Sequence, residues 1–266
     1  MKKVANAIRL TVRNGIRYLP LLKNLIGREL KKKYRTSVLG YVWCVLNPLL
    51  MMLIMTAVFS RMFHNSISNF PVYVFCGRMM YTFVSGGAGS IMRSIQSNGG
   101  LMRKTRIPYY VFPTASFSTA FVDLLFTLAA FALVLLFTRT PLSIHVVAFP
   151  VVVLEAAVFT FGLGMLLAIA NVYVRDTAYL YSVFTVGWMY LTPLFYPLEA
   201  LSETTQYIIR TFNPLYYYIA QVRGIFLDHV WPDGGTMLIG FAIGAVTLVL
   251  GLAAYGKAKN TLILYV

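Results

Sequence analysis

Long apolar blocks of about 20 residues dominate this sequence, and that is the length an α-helix needs to cross a lipid bilayer. The chain is 59% hydrophobic and only 12% charged, whereas soluble domains are about 45–50% apolar and about 25% charged. The composition therefore excludes a water-soluble enzyme, a secreted disulfide scaffold and a disordered chain. We predict an all-α membrane protein whose single transmembrane domain covers residues 1–266. Six spans are expected, over residues 38–59, 71–91, 112–137, 144–170, 179–197 and 236–256.

The placement of the basic residues predicts how the chain is oriented. The net charge is +15, and residues 1–35 hold eleven Lys and Arg against a single acid, Glu29. The first long apolar run begins only near Val38, without a small-residue cleavage site after a short apolar core, so we expect this segment to be retained rather than removed as a signal peptide. With a cytoplasmic amino terminus, 18 of the 23 basic residues lie on the inner side, in agreement with the positive-inside rule. Both termini are therefore expected in the cytoplasm, and membrane lipid is favoured over nucleic acid as the partner of these bases.

Residues 17–35 are too polar to cross a membrane and have the pattern of an amphipathic helix. Apolar side chains recur every four residues, while lysines and arginines occupy the opposite face. The apolar positions are Tyr18, Leu22, Ile26, Leu30 and Tyr34. Such a helix lies in the plane of the lipid headgroups. It acts either as a lipid-surface anchor alone or as a docking surface for a cytoplasmic partner.

Two loops are long enough to hold short helices of their own. The inner loop, residues 92–110, contains Gly99, Gly100 and Pro108, so we expect a short helix or turn between two hinges. The outer loop, residues 198–235, is expected to contain two short helices. The second should begin at Asn213-Pro214, because Asn caps helices well and Pro suits their first position. Its apolar continuation is too short to span and is expected to dip into the outer leaflet.

The sequence contains no convincing grouping of catalytic or metal-binding residues. The histidines, His64, His145 and His229, lie on outer loops and are far apart in sequence, and the two cysteines, Cys44 and Cys76, lie in apolar stretches. Residues 251–258 resemble a phosphate-binding loop, but the final Ser or Thr is missing and the segment ends a span instead of joining a strand to a helix. We therefore expect no cofactor in this chain and no ATPase activity of its own.

Three ionisable residues lie inside the predicted spans: Arg78, Asp123 and Glu155. Such groups usually face a cavity or a partner. For the two acids, a role in lining a pathway and a structural hydrogen bond both remain open. Arg78 either faces a pathway, extends toward the membrane surface or pairs with an acid. In the last span, Gly240-x-x-x-Gly244 permits close helix packing, either within the chain or between two copies.

Aromatic residues are concentrated near the outer end of the fifth predicted span and in the outer loop. They are Tyr190, Phe195, Tyr196, Phe212, Tyr216, Tyr217 and Tyr218. They form either an interfacial aromatic belt or a surface along which a sugar polymer slides.

Three segments, in order, resemble those of type 2 ATP-binding-cassette exporter permeases, the group that exports O-antigen, capsule and teichoic-acid polymers. The first is RELKKKYRTSVLGYVWCVLNPLLMMLIMTAVF, at 28–59. The second is NVYVRDTAYLYSVFTVGWMYLTPLFYPLEAL, at 171–201, and the third is NPLYYYIAQVRGIF, at 213–226. Together they extend over about three quarters of the chain. One position departs from the family pattern, since Gly77 is followed here by Arg78 instead of an apolar or aromatic residue.

The resemblance implies six membrane helices behind a cytoplasmic interface helix, in the bacterial inner membrane. It implies a second copy of the chain and two copies of a separate ATP-binding subunit, which would hold ATP and magnesium. Its cargo would be a polymer on a polyprenyl-diphosphate lipid. The coupling segment would be 92–110, centred on 96–107, and the outer gate region 198–235. The implied ATPase interface comprises Arg28, Glu29, Gln96, Arg103, Lys104, Arg106, Arg175 and Asp176. Candidate pathway residues are Arg78, Tyr190, Phe195, Tyr196, Tyr216, Tyr217 and Tyr218.

Two other functions compete with polymer export. The same fold could export a drug, a peptide or a lipid, although the dense outer aromatic residues favour a polymer. A membrane-embedded enzyme acting on lipid-linked sugars is the alternative from another class. Such enzymes place several acids and histidines at one membrane face, whereas the inner face here has only Glu29 and Asp176.

Overall fold

The computed structural model describes residues 18–33, 39–63, 67–104, 107–258 and 261–262, which form helices joined by turns and loops, with no strand in these ranges. The helices are α1 (18–33), α2 (Val42–Phe59), α3 (Phe70–Tyr81), α4 (Gly87–Ser97), α5 (Gly99–Lys104), α6 (Val111–Phe137), α7 (Phe149–Tyr173), α8 (Thr177–Leu191), α9 (Glu203–Phe212), α10 (Pro214–Arg223) and α11 (Gly234–Ala258). Short 3₁₀ turns occupy Ile144–Ala148 and Leu198–Ala200, and π-helical turns occupy Thr82–Gly86 and Gly224–Asp228.

Four of the described helices are long and apolar enough to cross a membrane. They are α2, α6, α7 with the 3₁₀ turn before it, and α11. These correspond to the first, third, fourth and sixth predicted spans, with ends that differ by a few residues. The end of the sixth span, which resembled a phosphate-binding loop, is continuous helix through Ala258.

The second and fifth predicted spans have more irregular structures. The second is formed by α3 and α4, which continue into each other through the π turn Thr82–Gly86. The fifth was predicted over 179–197, and α8 covers its first part but ends at Leu191. The cause is Pro193, because a residue before proline is driven out of the helical region. Thr192 is accordingly extended, at φ −100° and ψ 131°.

Close packing of α7 against α11 is made possible by glycines on both helices. A Cβ atom on Gly162 would lie 2.5 Å from the backbone nitrogen of Leu248, and one on Gly251 would lie 2.7 Å from the carbonyl oxygen of Gly162. Gly240 and Gly244 face Glu155 and its neighbours on α7 in the same way. The structure thus confirms that the small-residue pattern of the last span serves packing within the chain.

The outer loop contains the two short helices expected from the sequence, α9 and α10. Asn213 caps α10, since its side-chain oxygen accepts a hydrogen bond from the backbone N–H of Leu215 at 3.2 Å. Asp233 caps α11 by accepting from the backbone N–H of Thr236 at 2.9 Å and from its hydroxyl at 3.1 Å. These hydrogen bonds, the backbone one above all, lower the pKa of the Asp233 carboxyl. In the inner loop, α5 is the predicted short helix, and the break before it falls at Asn98.

Candidate functional site

A cavity of about 360 Å³ lies among α2, α3, α4 and α6 and is also bordered by Lys33 at the end of α1. Its volume falls within the range of about 300–1,000 Å³ that is usual for small-molecule sites. One side is apolar, with Trp43, Met51 and Phe75 among its residues. The polar side chains that line it are Lys33, Asn47, Arg78, Thr82, Ser90, Asp123 and Thr127.

Arg78, the arginine inside the second predicted span, lines this cavity. Its side chain is half-buried, and its Nη1 donates to the sulfur of Met189 on α8 at 3.3 Å. In the described ranges no carboxylate lies within ion-pair distance of it. Pairing with an acid was one of the three possibilities for Arg78, and the described residues do not form such a pair. Thioether sulfur is only a weak acceptor, so the guanidinium keeps donors for another group.

Lys33 forms an ion pair with Asp123, at 2.8 Å between Nζ and Oδ2. The pair joins α1 to the interior of α6, twelve residues beyond its first residue, Val111. One turn before Lys33 on α1, Glu29 accepts hydrogen bonds from the hydroxyls of Ser116 and Thr119, which lie about two turns and one turn before Asp123 on α6, both at 3.1 Å. The end of α1 therefore lies alongside the first half of α6. Sequence reasoning placed Asp123 inside a span but did not identify Lys33, 90 residues away, as its partner.

The residues assigned to an ATPase interface divide into two groups. The first group is bound within the chain: Arg28 donates to the side chain of Asn98, and Gln96 exchanges hydrogen bonds with the buried Asn171 of α7. Glu29 belongs with them through its contacts to α6. The second group is exposed. It comprises Arg103 and Lys104 at the end of α5, and Arg175 and Asp176 in the turn between α7 and α8. Arg106, also predicted, lies outside the described residues.

The six candidate aromatic residues of the pathway differ in their exposure. Phe195 and Tyr218 are buried in the hydrophobic core, at 7% and 0% exposure, and the Tyr218 hydroxyl donates to the carbonyl of Gly240. Tyr190 is 59% exposed, while the remaining three, Tyr196, Tyr216 and Tyr217, are half-buried. Only these last four present surface to a ligand in this structure.

Two polar networks hold α10 in place. Arg223 lies over the ring of Tyr73 on α3 and donates to the carbonyl of Leu194, at 2.9 Å, in the segment that follows α8. Gln221, on the same helix, donates to the buried carboxylate of Glu155 on α7 at 3.0 Å. Glu155 is only 2% exposed, so its observed role is the structural hydrogen bond rather than contact with a pathway.

The π turn Thr82–Gly86 is joined to α8 by two tyrosines. The hydroxyl of Tyr81 donates to the carbonyl of Thr185 at 2.5 Å, and that of Tyr181 donates to the carbonyl of Ser85 at 2.8 Å. Turns of this kind often occur at functional sites, and Thr82, Phe83 and Gly86 of this one line the cavity. Nothing in the sequence marked this turn, because no residue pattern distinguishes it from ordinary α-helix.

Four apolar helices of spanning length define a polytopic membrane protein. In the described part of the chain, no group of three or more His, Cys, Asp or Glu side chains could hold a metal ion. Residues 20–227 match the ABC-2 type transporter family. This match covers more than three quarters of the sequence, and the chain belongs to that family. It is a transport subunit and not a catalytic enzyme.

Curated relatives of the chain agree with this assignment. It is 34% identical, over 245 residues, to the O-antigen export system permease protein RfbA of Myxococcus xanthus, with 91% of this chain and 93% of that protein covered. A protein of the same name from Klebsiella pneumoniae is 27% identical over 90% of this chain and 92% of its own length. The polysialic acid transport protein KpsM of Escherichia coli is 19% identical, with 90% and 93% covered.

Proposed function

We propose that this chain is the transmembrane subunit of an ATP-driven exporter that moves a lipid-linked polysaccharide from the cytoplasmic side across the bacterial inner membrane. The observation that carries the proposal is its 34% identity, over nearly its whole length, to a permease named for O-antigen export. The likeness to a protein named for polysialic acid transport supports polysaccharide as the class of cargo.

The proposed topology has six spans with both termini in the cytoplasm. The continuous run of α3, the π turn and α4 is the second span, and α8 with the segment after it is the fifth. The 15 residues of α8 extend about 22 Å at about 1.5 Å per residue, less than the hydrocarbon thickness of about 30 Å. Residues 192–197 then complete the crossing. In this arrangement α1 is the interface helix, and α9 and α10 are the outer gate helices.

Energy for transport comes, in this proposal, from two copies of a separate ATP-binding subunit that carry the ATP and magnesium. They dock on the cytoplasmic side, where Arg103, Lys104, Arg175 and Asp176 are exposed. Behind this surface, Arg28 is bonded to Asn98 beside α5, and Gln96 is bonded to Asn171 of α7. A displacement of α5 would thus be transmitted to both α1 and α7 through these hydrogen bonds.

A second copy of the chain completes the pathway in this proposal. A polymer needs a conduit that is closed on all sides, and the described cavity of about 360 Å³ is far too small for one. α8 leaves most of its surface uncovered, since Tyr181 and Trp188 are its buried residues. Along the conduit, the exposed ring of Tyr190 and the partly exposed rings of Tyr196, Tyr216 and Tyr217 offer apolar faces to sugars, while Phe195 and Tyr218 support them from the core.

The test uses the chain reconstituted with its ATP-binding partner in sealed vesicles. Purified lipid-linked polysaccharide from the source organism is added on the ATP-binding side, and its appearance in the lumen is followed with a lectin. ATP-dependent accumulation supports the proposal. Stimulation of ATP turnover by drugs, peptides or phospholipids, with no effect of the polymer, would instead favour the alternative cargo of the same fold. Release of free sugar from its lipid would favour an enzyme.

A further inference from the structure

The cavity among α2, α3, α4 and α6 is positively charged. Lys33 and Arg78 supply two cations, and Asp123 supplies one carboxylate. The carboxylate is engaged by Lys33 at 2.8 Å. Arg78 has only the sulfur of Met189 as a hydrogen-bond acceptor among the described residues. A cation inside a membrane protein is costly unless it is compensated, so this arrangement favours an anion in the cavity.

The rest of the lining indicates what kind of molecule carries that anion. Trp43, Met51 and Phe75 form an apolar wall, while Thr82, Ser90 and Thr127 add hydroxyl groups near the cations. A small soluble anion would gain nothing from contact with the apolar wall, and an uncharged lipid would leave the cations uncompensated. An amphiphile with an anionic head and an apolar chain matches both sides of the cavity.

We propose that this cavity is a subsite for the phosphate-bearing headgroup of a membrane lipid. Arg78 binds the phosphate through its planar set of donors, which matches phosphate geometry, and Lys33 contributes a point charge. Asp123 is a positioning residue that holds the Lys33 ammonium at the cavity. The inference rests on the proposed function, in which the cargo reaches the pathway attached to a phosphate-containing lipid.

Binding is measured on the full chain assembled with its ATP-binding partner in nanodiscs of zwitterionic lipid. The probe is tritiated geranylgeranyl diphosphate, a short lipid with the same anionic head as a polyprenyl carrier. The variants are Arg78→Gln, Arg78→Lys and Lys33→Gln. Arg61→Gln serves as the matched control, because Arg61 is an exposed arginine just beyond α2 and outside the cavity.

We expect Arg78→Gln to raise the dissociation constant about tenfold or more, which is the usual effect of losing a hydrogen bond to a charged group. Arg78→Lys should recover part of the loss, and Lys33→Gln should weaken binding less than Arg78→Gln. Arg61→Gln should bind as the unmodified chain does. Equal affinity of Arg78→Gln and the unmodified chain would overturn the proposal, as would equal displacement of the probe by uncharged geranylgeraniol.

Competitors identify the source of the phosphate. Displacement by unlabelled geranylgeranyl diphosphate but not by phosphatidylglycerol assigns the subsite to a diphosphate carrier, whereas displacement by both assigns it to anionic lipids in general. Both results support a lipid-phosphate subsite, while displacement by inorganic diphosphate alone would contradict it. Because export is not the readout, failure of this binding test leaves the vesicle result for polymer export unaffected, and the reverse also holds.

Discussion

Arg223 lies over the ring of Tyr73, with its guanidinium carbon 3.4 Å from the centre of the ring. The same side chain donates to the carbonyl of Leu194 at 2.9 Å. One residue of α10 therefore joins α3 to the segment that follows α8, so the outer-loop helices are fixed to two predicted spans at once. Gly77 makes the approach possible, because a Cβ atom there would lie 3.0 Å from Nη2 of Arg223 and 3.2 Å from the Leu194 carbonyl.

Replacing Arg223 by methionine should therefore destabilise the protein. The change removes a cation–π contact, worth about 0.5–2 kcal/mol, and leaves the carbonyl of the buried Leu194 without the donor that Arg223 supplies. We expect a lower midpoint of thermal unfolding in detergent, followed by fluorescence, with partial recovery in Arg223→Lys. Arg210→Met is the control, because Arg210 is exposed on the neighbouring helix α9. If both methionine variants melt at the same temperature, Arg223 does not hold α10 in place.

Gly162→Ala should destabilise the protein by forcing α7 and α11 apart. The new methyl group would lie 2.5 Å from a backbone nitrogen of α11, and neither backbone can move without separating the two helices. Overpacking of this kind costs about 1–3 kcal/mol or more. Gly187→Ala is the matched control, since nothing lies within 4 Å of its added Cβ. We expect the control to melt like the parent chain, whereas equal melting of Gly162→Ala would show that α7 and α11 pack less closely than described.

Features of the chain that depend on local sequence were predictable. Apolar length alone located α2, α6, α7 and α11, and the Asn213-Pro214 pair gave the first residues of α10. In the fifth predicted span, a proline ends the helix before the apolar run does. Its apolar run continues to residue 197, but the helix ends at Leu191, because Pro193 constrains the residue before it.

The site depended on contacts between distant residues, and hydrophobic periodicity contains no information about these. Lys33 and Asp123 are 90 positions apart, and Gln96 and Asn171 are 75 apart. Lys33 is one of eleven basic residues near the amino terminus, and nothing in its neighbourhood distinguishes it from the others. Arg78 was recognisable by contrast, because a lone guanidinium in an apolar run is rare.

Asp176→Ala should reduce transport without affecting folding. Asp176 is exposed in the turn between α7 and α8, and its side chain makes no capping hydrogen bond to α8, so its removal exposes no core and should cost little stability. We expect an unchanged melting temperature together with lower polymer export per ATP hydrolysed, measured in the reconstituted complex. Glu203→Ala, at the exposed start of α9 on the proposed outer side, is the control. Unchanged export per ATP in Asp176→Ala would argue against contact with the partner at this turn.

Substitution by alanine should affect stability at Tyr218 and polymer export at Tyr190. Tyr218 is 0% exposed, and removing a buried aromatic side chain costs about 3–5 kcal/mol, so Tyr218→Ala should lose thermal stability and expression. Tyr190 is 59% exposed, so Tyr190→Ala should keep the melting temperature while polymer export falls severalfold. Tyr207→Ala, which removes an exposed tyrosine from α9, tests whether any outer tyrosine has the same effect. Normal export by Tyr190→Ala would leave the ring with a lipid-facing role only.

Accessibility of position 78 to water distinguishes a pathway-facing arginine from one that extends along lipid. The test chain carries Arg78→Cys with Cys44→Ser, and it keeps Cys76, which is 0% exposed and provides an internal control. Position 78 lines an open cavity, about seven residues from the outer end of its span, or roughly 10 Å at about 1.5 Å per residue. A charged thiol reagent should therefore modify the new cysteine in the assembled complex, while the matched chain with Cys44→Ser alone should stay unlabelled. Absence of labelling in a complex that still exports polymer would show that water does not reach Arg78, and would remove it from the pathway.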